Sequence, residues 1–290
     1  MKKKLKFAII GCAGFVAKKH VSTIKKIKGD LLLAMDKHDN VGFLDKFFPK
    51  CNFYKNEKVF FGQVKKLKID FVVICTPNYL HFRHIKNSLK SNSNVICEKP
   101  TVLKYSNLKK IRSYENETHK ICYTIFQLRY NGILINLKKK IDKQKKTDKK
   151  LKVQIRYFTP RGNWYLSSWK SNKKLSGGLI YNIGVHFFDM MTWFFGEIKK
   201  NIIYKNNKDL ISGKSIFNSA EVNWVLSTQI KSKLNKDLNS ERFIKFNFKK
   251  INFTKNFNDL HLTTYRNIIK GRGIKISDIT NTFKNLELMK

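Results

Sequence analysis

The sequence predicts an α/β protein in two parts: a parallel sheet covered by helices, then an α+β half whose sheet is mostly antiparallel. Two patterns predict it. Up to residue 126, short and nearly continuous apolar runs alternate with helical stretches, as expected of strands buried on both faces. After residue 150 the strand-like runs lengthen and alternate apolar with polar, as expected of a sheet with one wet face. The first domain is placed at 1–122 and the second at 123–290.

The elements follow in order. Residues 5–10 (LKFAII) form a strand that stops at Gly11, and a helix runs from about Val16 to Lys28. Residues 31–35 (LLLAM) are a second strand, closed by Asp36. Residues 69–75 (IDFVVIC) are β-rich and end at Thr76-Pro77; 79–90 read as helix. Residues 94–97 (NVIC) are a strand ending at Glu98-Lys99-Pro100, followed by helix 103–117 and strand 120–126. In the second half, 151–159 (LKVQIRYFT) alternate as a strand, and 178–195 are one long apolar helix. Strand-like runs near 198–205, 215–230 and 241–254 come next, then helices near 259–270 and 277–289. The Lys-rich stretch 138–150 reads as a solvated helix end and loop.

Composition narrows the function classes. Sixty Lys and Arg against 20 Asp and Glu give a net charge of +40, but 42% of the 290 residues are apolar, which excludes a disordered basic tail. The charge is spread along the chain and only eight of the basic residues are Arg. Lys, Asn, Ile and Phe, all abundant, share A/T-rich codons, so coding drift accounts for the charge; a selected polyanion surface is the alternative. The scattered charge and the lack of a known nucleic-acid module argue against a specific nucleic-acid partner. No run of ~18 uncharged apolar residues is present, so no membrane-spanning helix is expected. Leu5 to Ile10, interrupted by Lys6, is too short for a signal-peptide core. The five cysteines, Cys12, Cys51, Cys75, Cys97 and Cys122, are odd in number and lack CxxC spacing. They read as buried hydrophobes in a reducing, cytoplasmic compartment, with no disulfide set and no metal site.

Four segments could carry chemistry. Gly11-Cys12-Ala13-Gly14-Phe15-Val16-Ala17 follows the first strand and opens a helix. Glycines there allow a tight turn and close approach to a pyrophosphate seated on the helix N-terminus, although a purely structural turn would look the same. Asp36 ends the second strand, where an acid can bond a ribose 2′-hydroxyl and repel a 2′-phosphate, which favours NAD over NADP. The order strand, glycine turn, helix, strand, acid is that of a Rossmann dinucleotide-binding domain. Thr76-Pro77-Asn78 and Glu98-Lys99-Pro100 both lie just past strand C-termini, the edge where open α/β sheets bind ligands. Lys99 is either a solvated strand end or a fixed ammonium able to stabilise alkoxide character on a substrate hydroxyl.

The other two segments lie in the second half. Asn182, His186 and Asp189 fall on one stripe of the 178–195 helix; a lone histidine there is usually a core histidine with one satisfied hydrogen bond, but with Asn and Asp on its stripe and Gly177-Gly178 at the helix start a general base is the better reading of His186. Arg161-Gly162-Asn163-Trp164-Tyr165, leading to Trp169-Lys170, is either a loop of packed aromatics or a planar cation with aromatic faces for an anionic, ringed ligand.

In this order the pieces resemble the Gfo/Idh/MocA oxidoreductase family, and within it the branch that oxidises UDP-N-acetylglucosaminuronic acid (UDP-GlcNAcA). The likeness rests on GCAGFVAKKH (11–20), CTPNYLHFRHI (75–85), VICEKP (95–100), QLRYN (127–131), RGNWYLSSWK (161–170), NIGVHFFDM (182–190) and FNDLHLTTY (257–265). The resemblance implies NAD as cofactor, held by Gly11, Gly14, Phe15, Val16, Asp36, Thr76, Pro77, Asn78, His81 and Glu98. It implies Lys99 and His186 as catalytic residues and a cis peptide at Lys99-Pro100. Substrate contacts would come from Lys99, Arg161, Asn163, Trp164, Lys170, Asn182 and His186. Asn182 stands where many relatives carry Asp, which suggests hydrogen bonding to the sugar in place of acid–base work. The branch makes a 3-keto nucleotide sugar for lipopolysaccharide and O-antigen synthesis, passes it to an aminotransferase, and forms homo-oligomers, often tetramers. Another sugar or inositol dehydrogenase, a non-catalytic homologue and a basic nucleic-acid binder are the alternatives.

Overall fold

The computed structural model describes residues 4–144, 150–229, 241–246, 249–253 and 259–289. The chain forms two compact units, Met1–Ile125 with Asp259–Asp278, and Phe126–Asn258 with Ile279–Lys290. No helix among the described residues is long and apolar enough to cross a membrane.

The first unit contains β1 (Lys6–Ile10), α1 (Ala17–Lys26), β2 (Asp30–Met35), α2 (Phe43–Phe47), β3 (Asn52–Tyr54), α3 (Glu57–Lys66), β4 (Phe71–Ile74), α4 (His81–Lys90), β5 (Asn94–Cys97), α5 (Tyr105–Thr118) and β6 (Cys122–Thr124). Its six strands pair in parallel in the order β3-β2-β1-β4-β5-β6. The apolar runs that mark these strands are buried on both faces: Phe7, Ala8, Ile9, Val72, Val73 and Ile74 are each 0% exposed. Helix α1 buries Ala17, Val21 and Ile24, three or four positions apart, on one stripe. Helix α3 starts at Asn56, whose side chain accepts the Val59 N–H, and buries Phe60 and Val64. Periodicity did not announce α2, β3 and α3. The strand β3 is only three residues long and has no fully buried position, so it carries little hydrophobic signal.

The helix Leu260–Ile269 (α11 in chain order) returns from the far end of the chain to this unit. Tyr265 and Ile268 join the core formed by Phe7, Ile9, Val21, Ile24 and Val73. The Phe7 ring stacks on Phe71 with centroids 5.4 Å apart and lies 6.3 Å from Tyr265.

The second unit holds α6 (Gly132–Gln144), β7 (Leu151–Phe158), the short helices α7 (Asn163–Leu166), α8 (Lys173–Ser176) and α9 (Gly178–Asn182), α10 (Val185–Phe195), β8 (Lys200–Asn206), β9 (Leu210–Ile216), β10 (Ala220–Ser227), β11 (Glu241–Phe246), β12 (Lys249–Asn252) and α12 (Thr280–Glu287). Its sheet runs β12-β11-β7-β10-β9-β8, antiparallel except for the parallel pair β7–β10. In β7 the alternation is realised: Leu151, Val153, Ile155 and Tyr157 are buried, while Lys152 and Gln154 are exposed. Phe187 and Phe188 of α10 pack on Trp224 of β10, with ring centroids 6.0 and 5.2 Å apart.

Three expectations for this half need correction. The single helix over 178–195 is two helices, broken at Ile183-Gly184. A Cβ on Gly184 would stand 2.6 Å from the Ile180 carbonyl oxygen and 2.7 Å from Leu226, so the glycine lets the chain turn hard against β10. The run 215–230 is the end of β9 and all of β10, joined by a tight turn in which the Phe217 N–H donates to the Ala220 carbonyl at 2.8 Å. The run 241–254 is the antiparallel pair β11–β12. Continuous β propensity hides both reversals. Parts of the expected elements, at 145–149, 230, 247–248, 254 and 257–258, lie outside the described residues.

Candidate functional site

In the first unit the strand order reverses between β1 and β4, and the crevice beyond their C-terminal ends is where a doubly wound sheet takes its ligand. The glycine turn sits there. Gly11 has φ +83°, and a Cβ on it would lie 2.5 Å from the Thr76 nitrogen, so only glycine allows the turn and the Thr76 loop to touch. A Cβ on Gly14 would stand 3.1 Å from the Gly11 carbonyl oxygen. Helix α1 then begins with no side-chain cap; its Ala17 and Lys19 N–H groups donate to the Gly14 and Val16 carbonyls at 3.0 Å each, and the positive end of the helix faces the turn. Asp36 accepts the Ala13 N–H at 3.0 Å on one oxygen and the His38 N–H at 3.1 Å on the other. These bonds fix the carboxylate beside the turn and leave it lone pairs for a ribose hydroxyl. Phe15 is exposed beside the turn and Val16 is half-buried. The residues present therefore fit a dinucleotide.

The loops after β4 and β5 are tied together. Thr76 Oγ1 lies 2.9 Å from His84 Nδ1. His81, 1% exposed, bridges the main-chain oxygens of Thr76 and Pro100 at 2.7 Å each. Burial pushes the His81 pKa down, against the pull of the two carbonyls and the Glu98 charge. Pro77 leads into a turn of 3₁₀ helix containing the buried Asn78, and the Lys99-Pro100 bond is cis.

Glu98 is buried behind Lys99. Its Oε2 accepts the Lys99 N–H at 3.2 Å, and its Oε1 lies 3.0 Å from His20 Nε2 and 3.6 Å from His261 Nε2. His20 Nδ1 is 2.7 Å from the Tyr265 hydroxyl. Although burial opposes the charge, the His20 and His261 contacts hold the Glu98 pKa well below the usual carboxylate range. His20, Glu98 and His261 offer ligand atoms within 4.8 Å of one another, a spacing that could hold a metal ion; a hydrogen bond joins His20 to Glu98, while His261 Nε2 is buried with no hydrogen-bond partner among the described residues. Sequence reasoning did not single out His20, His261 or Tyr265. Histidine is scarce, seven in the chain, and that scarcity was the available signal. The thiols are inert, since burial pushes Cys12 and Cys51 up to about 12 and raises Cys75, Cys97 and Cys122 well above the usual thiol range.

In the second unit His186 opens α10, is 9% exposed, and meets the Phe126 ring edge-on at 5.9 Å. The break at Gly184 takes it out of a continuous helix with Asn182. Asn182 donates to the Tyr165 hydroxyl at 2.9 Å. Asp189 takes both Arg129 nitrogens, Nε at 2.9 Å and one terminal nitrogen at 2.7 Å, and accepts the Thr282 hydroxyl at 2.8 Å. The break separates Asn182 from the other two members of the expected stripe; His186 and Asp189 remain i, i+3 on α10, where Asp189 is a structural tie between α10, α12 and Arg129.

Arg161 follows β7 and is half-buried, with one guanidinium N–H donating to its neighbour Pro160 at 3.0 Å. Lys170 is also half-buried, its ammonium 4.9 Å from the Trp164 ring centroid. Burial pushes both pKa values down, and each cation feels a further positive neighbour, Arg242 for Arg161 and Arg161 for Lys170. Among the described residues neither forms a salt bridge with a carboxylate. Asn163 and Trp164 are exposed beside them.

A parallel sheet with this glycine turn, acid and lysine loop, followed by a sheet domain, defines a dinucleotide-binding oxidoreductase. The chain belongs to the Gfo/Idh/MocA oxidoreductase family: the model of the family's NAD-binding Rossmann fold matches residues 5–126, and that of its C-terminal alpha/beta domain matches 148–209. Its cofactor is NAD. Among solved structures, the WlbA (WbpB) dehydrogenase from Thermus thermophilus, in complex with NAD and UDP-GlcNAcA, is 30% identical. The match covers 98% of this chain and 94% of that one, with a TM-score of 0.92. The WlbA dehydrogenase from Bordetella pertussis, 16% identical over 99% of this chain and 95% of that one with a TM-score of 0.83, shares the fold. Among curated proteins, the putative oxidoreductase YteT of Bacillus subtilis is 26% identical over 144 residues, 49% of this chain. That match spans 33% of YteT's own length, so the chain covers about a third of that relative.

Proposed function

We propose that the chain is an NAD-dependent nucleotide-sugar dehydrogenase that oxidises the C3 hydroxyl of UDP-GlcNAcA to the 3-keto sugar. The observation that carries the reading is the half-buried pair Arg161 and Lys170, cations without a carboxylate partner among the described residues, in a chain 30% identical to a dehydrogenase that binds NAD and UDP-GlcNAcA. A substrate with a diphosphate and a carboxylate supplies the missing anions. Asn163, Trp164 and Asn182 would complete its pocket.

In this reading NAD lies along Gly11 to Val16, Asp36, Thr76 to Asn78, His81 and Glu98, and when bound supplies the hydride acceptor. His186 takes the hydroxyl proton as the C3 hydride leaves and the C–O bond becomes a carbonyl. Lys99 orients the hydroxyl and stabilises the developing alkoxide. These roles rest on the chemistry of the two residues and on the family resemblance. The reading extends to a homo-oligomer, by resemblance a tetramer, and to an aminotransferase that consumes the ketone.

The test is a panel of UDP-sugars with NAD, followed at 340 nm. NADH formation with UDP-GlcNAcA and little with UDP-GlcNAc, which lacks the sugar carboxylate, is the expected result. Equal use of both sugars overturns the uronic-acid assignment, and no turnover with any sugar favours a non-catalytic homologue.

A further inference from the structure

Of the buried groups behind Lys99, only Glu98 has a place in the reading above, along the cofactor, yet the hydrogen bonds of His20 and Tyr265 to it have a single consistent direction. An ionised carboxylate only accepts, so His20 must face Glu98 Oε1 with its Nε2–H, across 3.0 Å. A neutral imidazole then has a bare Nδ1, and the Tyr265 hydroxyl, 2.7 Å away and completely buried, must donate to it. The Lys99 N–H donates to the other carboxylate oxygen. His261 stands on the same side, 3.6 Å from Oε1, its ring edge-on to His20 at 5.2 Å. Burial keeps His20 neutral, so the imidazole orders the Glu98 charge without cancelling it.

The place of that charge matters. A dinucleotide crosses the sheet edge between β1 and β4, with its adenosine half over β1 and β2, where Asp36 stands. Its nicotinamide half therefore falls on the side of β4 and β5, and Glu98 is the first residue after β5. The oxidised nicotinamide ring is cationic and the reduced ring is neutral. We propose that Tyr265, His20 and His261 are positioning residues that keep Glu98 ionised, and that this buried charge biases the first unit toward NAD over NADH. The proposal rests on the dinucleotide-binding reading and is independent of the sugar.

The experiment measures Kd for NAD and for NADH, without sugar, on wild type, Glu98→Gln and Tyr265→Phe. Removing one charge near a cationic ring should raise the ratio Kd(NAD)/Kd(NADH) roughly 5- to 30-fold in Glu98→Gln. Tyr265→Phe should move the ratio the same way by a smaller factor. Nitrogen-15 NMR of His20 should show the Nε2–H tautomer in wild type, with the Nδ1 resonance shifting in Tyr265→Phe as that nitrogen loses its donor. An unchanged ratio in a folded Glu98→Gln protein overturns the charge bias, and an Nδ1–H tautomer in wild type overturns the relay. If Glu98→Gln does not fold, the Tyr265→Phe ratio decides alone, and no shift there overturns the proposal. Normal dinucleotide ratios in a protein that turns over no UDP-sugar would sink the substrate reading and spare this one.

Discussion

His20 and Tyr265 are 245 positions apart in the chain and 2.7 Å apart in the fold. The contact joins α1, which follows the glycine turn, to α11 near the other end of the sequence. It makes the ordering of Glu98, and through it the Lys99 backbone, depend on a segment that local sequence places far away.

Buried histidines make the first unit acid-sensitive. His20, His81 and His84 are each held below the ordinary 6.5, chiefly by burial, His84 down to about 3. With folded pKa values depressed, the unfolded chain takes protons first as pH falls below 6.5. The stability they contribute is complete above that pH and is lost progressively on acidification, down to about 3 for His84. The slope for one such group is about 1.4 kcal/mol per pH unit. Urea titrations should give a lower midpoint at pH 5 than at pH 7.5, and His84→Gln should flatten the difference; equal midpoints in wild type would contradict the assignment.

Gly11→Ala should damage both stability and cofactor binding. The residue would carry a Cβ at φ +83°, 2.5 Å from the Thr76 nitrogen. Strain of this kind costs about 1–3 kcal/mol before the backbone clash is relieved by opening the turn. Thermal melts and NAD titration together should report it, and a variant matching wild type in both would show that the loops are not in contact.

Asp36→Ala removes the acceptor for the Ala13 N–H and the carboxylate assigned to the ribose. NAD affinity should fall roughly 10- to 100-fold, the loss of one or two charge-assisted bonds, while NADP affinity falls less. A wild type that prefers NADP would show the assignment to be wrong.

Lys99→Met and His186→Asn should each fold, keep NAD affinity and lose ~10²–10⁴-fold in turnover. Single-turnover rates at saturating sugar separate this from a binding defect. Near-normal rates in both variants would return Lys99 to a strand-end lysine and His186 to a core histidine.

Arg161→Lys tests the anion site. A guanidinium can bind a carboxylate or phosphate at two points and an ammonium cannot, so kcat/KM for UDP-GlcNAcA should fall roughly 30- to 1,000-fold. The smaller effect is expected on UDP-GlcNAc. Wild-type behaviour on both sugars would make Arg161 an ordinary loop residue.

The sequence made the first sheet legible because its strands are buried on both faces: FAII and FVVI read as strands without context, and the residues that stop them are the loop residues of the site. The three-residue β3 carries little such signal. Gly184 misled in the opposite direction. A glycine inside an apolar run is compatible with a continuous helix, and only the approach of Ile180 and Leu226 shows that the chain must break there. That break takes Asn182 out of the helix that carries His186 and Asp189. Asp189 could not be assigned from spacing either, since its partners Arg129 and Thr282 are 60 and 93 positions away. Arginine is scarce, eight in the chain, and Arg161 is one of them. Histidine is scarcer still, seven in the chain, and the same signal points to His20, His84 and His261.

The return of α11 to the first core has a consequence for how the protein is made. A ribosome completes β1 to β6 by residue 124, but Tyr265 and Ile268, which fill the core beside Phe7 and Val21, emerge some 140 residues later. At about 5–20 residues per second that delay is roughly 7–28 s. Throughout it the nascent first half carries an apolar gap beside Phe7, and His20 Nδ1 has no hydroxyl to donate to it. Co-translational folding of this unit cannot finish on its own segment, so a fragment ending at residue 125 should be recovered as an aggregating, incompletely closed sheet, and supplying 259–278 in trans should rescue it.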